Sequence, residues 1–467
     1  MMDVRTSPYR ITQPLKRVGK RGDGKWEPIS YEQLIQEVVE GGDLFGEGHV
    51  DGLRAIRDLN APVDAQNPEY GPKANQLLVT NAGNEGRDDI LKRFAFNSFG
   101  TRNFGHHGSY CGYAFRAGSG AFMNDLDKNA HLKPDFDNAE YILFIGMSPA
   151  QAGNPFKRQA RQLAKARTEG GLDYTIITPN LPAGSSSLAA GDNNRWIPIK
   201  PGTDSALALA MIQWMMTNNR YNHIFLAQPG PNAMKAAGTA HWCNATHLVI
   251  SDEAHPANGR FLRASDIGLP FSGNAKGDQD PSVIVDAASG ELGLHTQPGE
   301  AELFVERDVT INGQVVRVKS AFQRLKEEAF KYDLAFYSDK CGIPEQTIVE
   351  LATRLTSHGT KAVVDTHGGN MHSNGFYSAF SLVMLNAMIG NINMKGGAMA
   401  KAGGYPTSAK GPRYDFTHFD GITAPKGVFL SRSRFPYEKT SEYKRRVAAG
   451  ESPYPTRALG IRSLRLC

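Results

Sequence analysis

Short apolar runs separated by polar, glycine-punctuated loops set the rhythm of this chain. Tyr141-Ile142-Leu143-Phe144-Ile145 runs into Gly146, and Tyr174-Thr175-Ile176-Ile177-Thr178 runs into Pro179. Residues 76–80, 224–227, 247–251 and 361–365 repeat the pattern. Continuous apolar runs of this length suit strands buried on both faces. Stretches with helical spacing lie between several of them, at 88–99, from Phe156 onward, from Thr203 through Leu207, Met211, Trp214 and Met215, at 344–355, and at 377–389 with Gly390 as a stop. Strands alternating with helices predict an α/β protein with parallel sheets covered by helices. In such sheets ligands sit beyond the carboxyl ends of the strands, so the loops there are the first place to look for chemistry.

Local signals refine the outline. Residues 14–27 read as a hairpin, and Ser30 with Gln33 forms a capping-box pattern that starts a helix through Leu34, Ile35, Val38 and Val39. The patterning weakens between 253 and 320, which reads as an insertion holding a hairpin at 309–318 that turns at Asn312-Gly313. Helices follow at 320–332 and, with Pro344 near its first position, at 344–355.

Composition narrows the classes. At 467 residues the chain exceeds the length of about 250–300 at which single cores stop growing. A 40% hydrophobic, 21% charged chain is an ordinary globular one. The net charge of +5 has no dense basic run behind it beyond Lys16-Arg17 and Lys20-Arg21, so no nucleic-acid partner is expected, while an anionic substrate or cofactor suits the sign. Cys111, Cys243, Cys341 and Cys467 are far apart with no C-x-x-C, which excludes a local zinc or iron–sulfur cassette. The N-terminus has no apolar signal region or twin arginine, and no window holds 18 consecutive apolar residues, so the chain as it stands carries no export signal or transmembrane segment. Its opening on a hairpin suggests a preceding domain.

The candidate chemistry centres on residues 104–120, where Cys111 lies among His106, His107 and Arg116 on a backbone with Gly105, Gly108, Gly112, Gly118 and Gly120. That glycine density argues against a packed core segment. A thiolate with cationic neighbours is either a nucleophile or a soft metal ligand, and the local residues do not separate the two. Four loops add to it: Gly146, Ser148, Pro149, Asn154 and Pro155; Gly202, Thr203 and Asp204, with Thr203 as cap of a helix that can receive an anion and Asp204 able to accept from a guanine-like amidine; Gly368, Gly369, Asn370 and His372; and Asn391, Gly396 and Gly397.

The order of hairpin opening, glycine-rich Cys loop, strand-Gly-x-x-Pro, Pro-Gly-Thr-Asp-x-Ala-Leu, strand-Gly-Gly-Asn-x-His and Gly-Asn-Ile-x-x-x-Gly-Gly resembles the molybdopterin oxidoreductases of the dimethyl sulfoxide reductase type, over residues 9–455. Within that family, the loop at 106–112 and the basic opening look most like the branch that reduces tetrathionate to thiosulfate in anaerobic respiration. The resemblance implies a molybdenum bis(molybdopterin guanine dinucleotide) cofactor, with Cys111 as the metal ligand and the four loops holding the two dinucleotides. His106, His107 and Arg116 would steer a small anionic sulfur substrate, supply a proton, or bond the pterin. It also implies a membrane quinol-oxidising partner, an iron–sulfur electron-transfer partner, and a place on the periplasmic side of the inner membrane.

The family normally carries an N-terminal [4Fe–4S] segment and a C-terminal barrel. Neither matches this sequence, so the cluster is expected only in a full-length protein, and residues 459–467 read as a truncated or frameshifted end. The expected architecture is two Rossmann-like lobes, one inserted in the other: 1–137 and 361–467 form the first lobe, and 138–360 the inserted pterin-binding lobe. The competing readings are an arsenate, thiosulfate or polysulfide reductase of the same family, or a non-catalytic nucleotide-binding fragment. A nicotinamide enzyme is disfavoured because no G-x-G-x-x-G follows a strand.

Overall fold

A computed structural model describes residues 5–81, 88–106, 112–123, 132–149, 156–181, 194–272, 280–400, 419–428 and 437–453. The chain divides into two compact units, residues 1–110 with 407–467, and residues 111–406.

The second unit carries the parallel sheet. In chain order its framework is helix α1 (Tyr113–Phe122), strand β1 (Tyr141–Ile145), α2 (Phe156–Glu169), β2 (Asp173–Ile177), β3 (Asn194–Ile197), α3 (Asp204–Thr217), α4 (Glu345–Ser357), β4 (Ala362–Thr366) and α5 (Gly375–Met388). The strands are ordered β3-β2-β1-β4 and all pair in parallel, with Tyr141 opposite both Asp173 and Ala362.

Every residue of β1 and β4 is buried, as the unbroken apolar runs required. Alternate residues feed two cores. Tyr141, Leu143, Ile145, Ile177 and Val364 face α3 and α4, whereas Ile142, Phe144, Tyr174, Ile176 and Val363 pack with Phe115 of α1 and Leu163 of α2. Helix α5 adds Leu382 and Leu385 to the first core and Ala379 and Val383 to the second, so it runs along the β4 edge. Asn386 of α5 closes that edge: its amide accepts from Val364 N–H at 2.9 Å and donates to Val364 C=O at 2.9 Å, satisfying the outward groups of an otherwise open strand.

This topology corrects the expected division. The strand at 362–366 shares a sheet with 141–145, so 361–400 belongs with the segment it was expected to leave, and no inserted lobe spans 138–360. The cause is the crossover: the long excursion from β3 to β4 returns to the free edge of β1, a pairing that local sequence does not encode. Residues 223–226 form a helix with Asn222 as its side-chain cap, correcting the strand expected there. Residues 73–76 are a 3₁₀ turn and the strand begins only at Val79.

Between these elements lies an antiparallel layer, residues 248–250, 306–311 and 314–320, over its own apolar core. Asn312 (φ 51°) and Gly313 (φ 81°) make the expected two-residue turn. In the first unit, residues 15–17 and 26–28 form the opening hairpin, and the Ser30 hydroxyl accepts from Gln33 N–H at 3.1 Å to start the helix Tyr31–Glu40.

Candidate functional site

Strand order reverses between β1 and β4. β2 and β3 lie to one side of β1 and β4 to the other, so the carboxyl ends of β1 and β4 form the switch point, the place where sheets of this kind offer a ligand crevice. Gly146 follows β1 at φ +63°, in the left-handed region. A Cβ there would lie 2.5 Å from Gly369 Cα, and one on Gly369 would lie 2.6 Å from Gly146 Cα. The two backbones therefore touch at the root of the crevice, which only glycine at both positions allows. Buried Ser148 and Pro149 continue the first loop.

The loop after β3 reaches the same place. Gly202 sits at φ +75° and Asp204 opens α3, 4% exposed. Burial pushes the Asp204 carboxyl up, with His372 opposing. Its Oδ2 is 3.9 Å from His372 Nε2, beyond hydrogen-bond reach, and its Oδ1 is 3.6 Å from the Cβ position of Gly146. Asp204 is thus where the loops of β1, β3 and β4 converge. Thr203 holds the N-cap position but does not cap: its hydroxyl donates to Lys200 C=O at 2.6 Å, correcting the expected role.

The crevice carries polar atoms whose needs the fold does not meet. Asn370 donates to Thr366 Oγ1 at 2.9 Å while its Oδ1 is buried without a hydrogen-bond partner among the described residues, and His372 Nε2 is in the same state. Such a buried atom costs about 1–3 kcal/mol unless a ligand satisfies it. Unsatisfied polar atoms beside a glycine cradle fit a large polar ligand with phosphates and a hydrogen-bonding base.

Beneath the loop, His367 is 7% exposed and meets Phe115 edge-on at 5.3 Å. Burial, with Lys133 and Arg116 nearby, lowers its imidazole to about 4, so it is neutral at physiological pH. Gly112, at the start of α1, has no room for a Cβ because His367 Nε2 occupies that space. One residue before Thr366, Asp365 is buried with Lys133 Nζ 3.5 Å from Oδ1 and Gln159 Nε2 3.4 Å from Oδ2, and burial raises its carboxyl. Residue patterning placed His367 at the head of this loop without giving it a role of its own, and it overlooked the Lys133–Asp365–Gln159 cluster. The usable signal was a charged residue inside an apolar strand run, immediately ahead of the glycine loop.

The structure therefore brings together Gly146, Ser148, Pro149, Gly202, Thr203, Asp204, Gly368, Gly369, Asn370 and His372, with Arg116 in α1 beside His367. Asn391, Gly396 and Gly397 lie apart from these, at the opposite, amino ends of β1 and β4. Asn391 donates to Ala362 C=O, Gly396 N–H donates to Asp135 at 3.0 Å, and a Cβ on Gly396 would lie 2.7 Å from Asn138 O. Their conformations serve the return to the strand Ala398–Ala400. Cys111, His107, Asn154 and Pro155 lie outside the described residues.

Among the described residues no helix is long and apolar enough to cross a membrane. A tetrathionate reductase subunit of Salmonella typhimurium is 53% identical over 453 residues, 97% of this chain and 43% of that protein. A tetrathionate reductase subunit of Archaeoglobus fulgidus is 29% identical over 515 residues, covering 96% of this chain and 43% of that one. A selenate reductase subunit of Mesobacillus selenatarsenatis is 29% identical over 493 residues, with 94% and 45% covered. The chain spans less than half the length of these relatives. The family described as molybdopterin oxidoreductase matches residues 63–443, a span that contains the whole crevice, and it implies a molybdenum–pterin cofactor. By that match, and by a switch-point crevice whose glycines and unsatisfied polar atoms suit such a ligand, this chain belongs to the molybdopterin oxidoreductases.

Proposed function

We propose that this chain is part of a catalytic subunit that reduces tetrathionate to thiosulfate in anaerobic respiration, using molybdenum bis(molybdopterin guanine dinucleotide). The observation that carries the reading is the 53% identity over 97% of the chain to a protein named as a tetrathionate reductase subunit. Selenate, arsenate, thiosulfate or polysulfide stand second, because the relative named for selenate is only 29% identical.

The cofactor would supply a metal that passes two electrons to a sulfur–sulfur bond. The protein's part is to hold it and to manage charge. Gly146 and Gly369 leave backbone exposed for diphosphate, and Ser148, Pro149, Asn154, Pro155, Gly202, Thr203 and Gly368 shape the approach. Asp204, Asn370 and His372 offer the acceptors and donors a guanine needs. Cys111 is assigned as the molybdenum ligand, a soft thiolate for a metal already bound by sulfur. Splitting a dianion into two dianions accumulates negative charge, so His107 and the Arg116 guanidinium are assigned to attract the substrate and stabilise that charge. A neutral His367 would donate a hydrogen bond without releasing a proton, which suits a cleavage that consumes none.

The same reading supplies a [4Fe–4S] relay in the full-length protein, an iron–sulfur electron-transfer partner, a membrane quinol-oxidising partner, and a periplasmic site of action. The test is reduced-viologen oxidation by the complete enzyme with tetrathionate, selenate and arsenate compared, in wild type and Cys111→Ser. Tetrathionate is expected to give the highest kcat/KM, and the variant is expected to lose turnover. A preference for selenate would replace the substrate, and full turnover by Cys111→Ser would remove the thiol from the metal.

A further inference from the structure

Gly112 poses a specific question. Its φ of −154° lies outside the left-handed region, so no positive φ calls for glycine there. Space does: a Cβ at 112 would fall on His367 Nε2 and lie 3.2 and 3.3 Å from Cε1 and Cδ2 of the same ring. The imidazole in turn has little freedom. It is 7% exposed, backed edge-on by Phe115 at 5.3 Å, and carried by a residue fixed to the end of β4.

The rest of α1 is held just as closely. A Cβ on Gly118 would lie 2.7 Å from Ala379 Cβ and 2.7 Å from Phe376 O, and one on Gly375 would lie 3.0 Å from Ala114 Cβ, so α1 and α5 meet backbone to backbone. Helix α1 therefore has two fixed points: its middle against α5, and its first residue against His367. The residue joined to that second point is Cys111.

We propose that His367 is a positioning residue for Cys111: its imidazole occupies the side-chain space of Gly112 and so fixes Gly112, the residue next to the thiol in sequence, against the carboxyl end of β4. The pair is matched, since a side chain at 112 and the imidazole at 367 exclude each other. The role of the thiol as metal ligand rests on the function proposed above, whereas the steric pairing does not.

Two measurements on the 467-residue chain test the pairing and its consequence without cofactor. The first is thermal unfolding of Gly112→Ala, His367→Gly and the double variant. Each single change is expected to lower Tm by about 4 °C or more, and the double variant to lie well above the sum of the two losses. Additive losses would overturn the pairing. The second is the alkylation rate of Cys111, followed by mass spectrometry with Cys243 and Cys341 as internal references. His367→Ala should speed alkylation of Cys111 severalfold and leave the references unchanged, while His367→Gln, which keeps a polar atom near the Nε2 position, should restore most of the wild-type rate. Unchanged Cys111 reactivity in His367→Ala would make the histidine a packing residue only. On the complete enzyme, X-ray absorption at the molybdenum edge separates the two readings. A wild-type enzyme without molybdenum removes the function and leaves the pairing to the first two measurements, whereas an unchanged sulfur shell in loaded His367→Ala overturns the positioning role.

Discussion

At the scale of single residues, the contact between Gly146 and Gly369 decides whether the crevice can form. Gly146→Ala adds a Cβ 2.5 Å from Gly369 Cα and also strains a φ of +63°, so neither relaxation of a side chain nor a change of rotamer relieves it. The left-handed conformation alone costs roughly 1–2 kcal/mol, and the clash adds to that. Denaturant unfolding should register a loss of at least about 2 kcal/mol, and the complete enzyme should hold less molybdenum; wild-type stability would mean that the loops can part freely. His367 carries a pH signature with a definite sign. Its pKa is lowered from 6.5 to about 4, so between those values the unfolded chain binds a proton that the folded chain refuses. Its contribution is therefore present above pH 6.5 and lost as pH falls toward 4, to a total of roughly 3 kcal/mol. Asp204 and Asp365, whose carboxyls are raised, act in the opposite sense above the ordinary carboxylate range, so the comparison must be between variants. The difference in unfolding free energy between wild type and His367→Gln should shrink from pH 7 to pH 5; a constant difference would show that the imidazole titrates normally.

At the scale of elements, β4 is an edge strand that behaves as an interior one. Asn386 supplies both hydrogen bonds of a missing neighbour to Val364, and Asn391 adds one to Ala362 C=O and one to Asn386 Oδ1 at 2.8 Å. Asn386→Leu keeps the branched shape but strands a buried N–H and a buried C=O, a cost of about 2–6 kcal/mol at 1–3 per group. Hydrogen exchange should report it directly: the Val364 amide is expected to lose protection relative to Leu143 on β1. Equal protection would mean that a water or a shifted side chain replaces the asparagine. Because His367 to His372 hang from the end of β4, this edge closure is also what holds half of the crevice in place.

At the scale of the whole chain, cysteine burial limits what the 467 residues can bind. Cys341 is 0% exposed inside an apolar core, and burial pushes the Cys243 thiol up to about 12. A metal ligand must be a thiolate, so Cys341 is closed off by burial and the half-buried Cys243 resists deprotonation. An all-cysteine [4Fe–4S] centre needs four such ligands, and the sequence has four cysteines in total. Anaerobic reconstitution of this chain with iron and sulfide should therefore leave no stoichiometric iron or acid-labile sulfide, even where the complete enzyme contains both. A stable cluster on these residues would contradict the burial of Cys341 and the raised thiol of Cys243.

Much of this was legible in the linear chain where the controlling forces are local. The apolar runs at 141–145 and 361–365 became strands within one residue, Asn312-Gly313 made its turn, and Ser30 capped its helix, because hydrophobic burial, turn geometry and capping act over a few residues. The loops singled out at Gly146, Gly202 and Gly368 do lie beyond strand ends, where the α/β pattern put them. What the linear order left open was which strands are neighbours. The pairing of β4 with β1 spans more than 200 residues of intervening chain, and it alone reunites 361–400 with the sheet, brings Gly369 onto Gly146, and sends Asn391, Gly396 and Gly397 to the far end. The pairing of His367 with Gly112 was unreadable for the same reason. Its meaning lies in the missing side chain of Gly112, and a steric exclusion between residues that far apart exists only once the sheet has brought the two together.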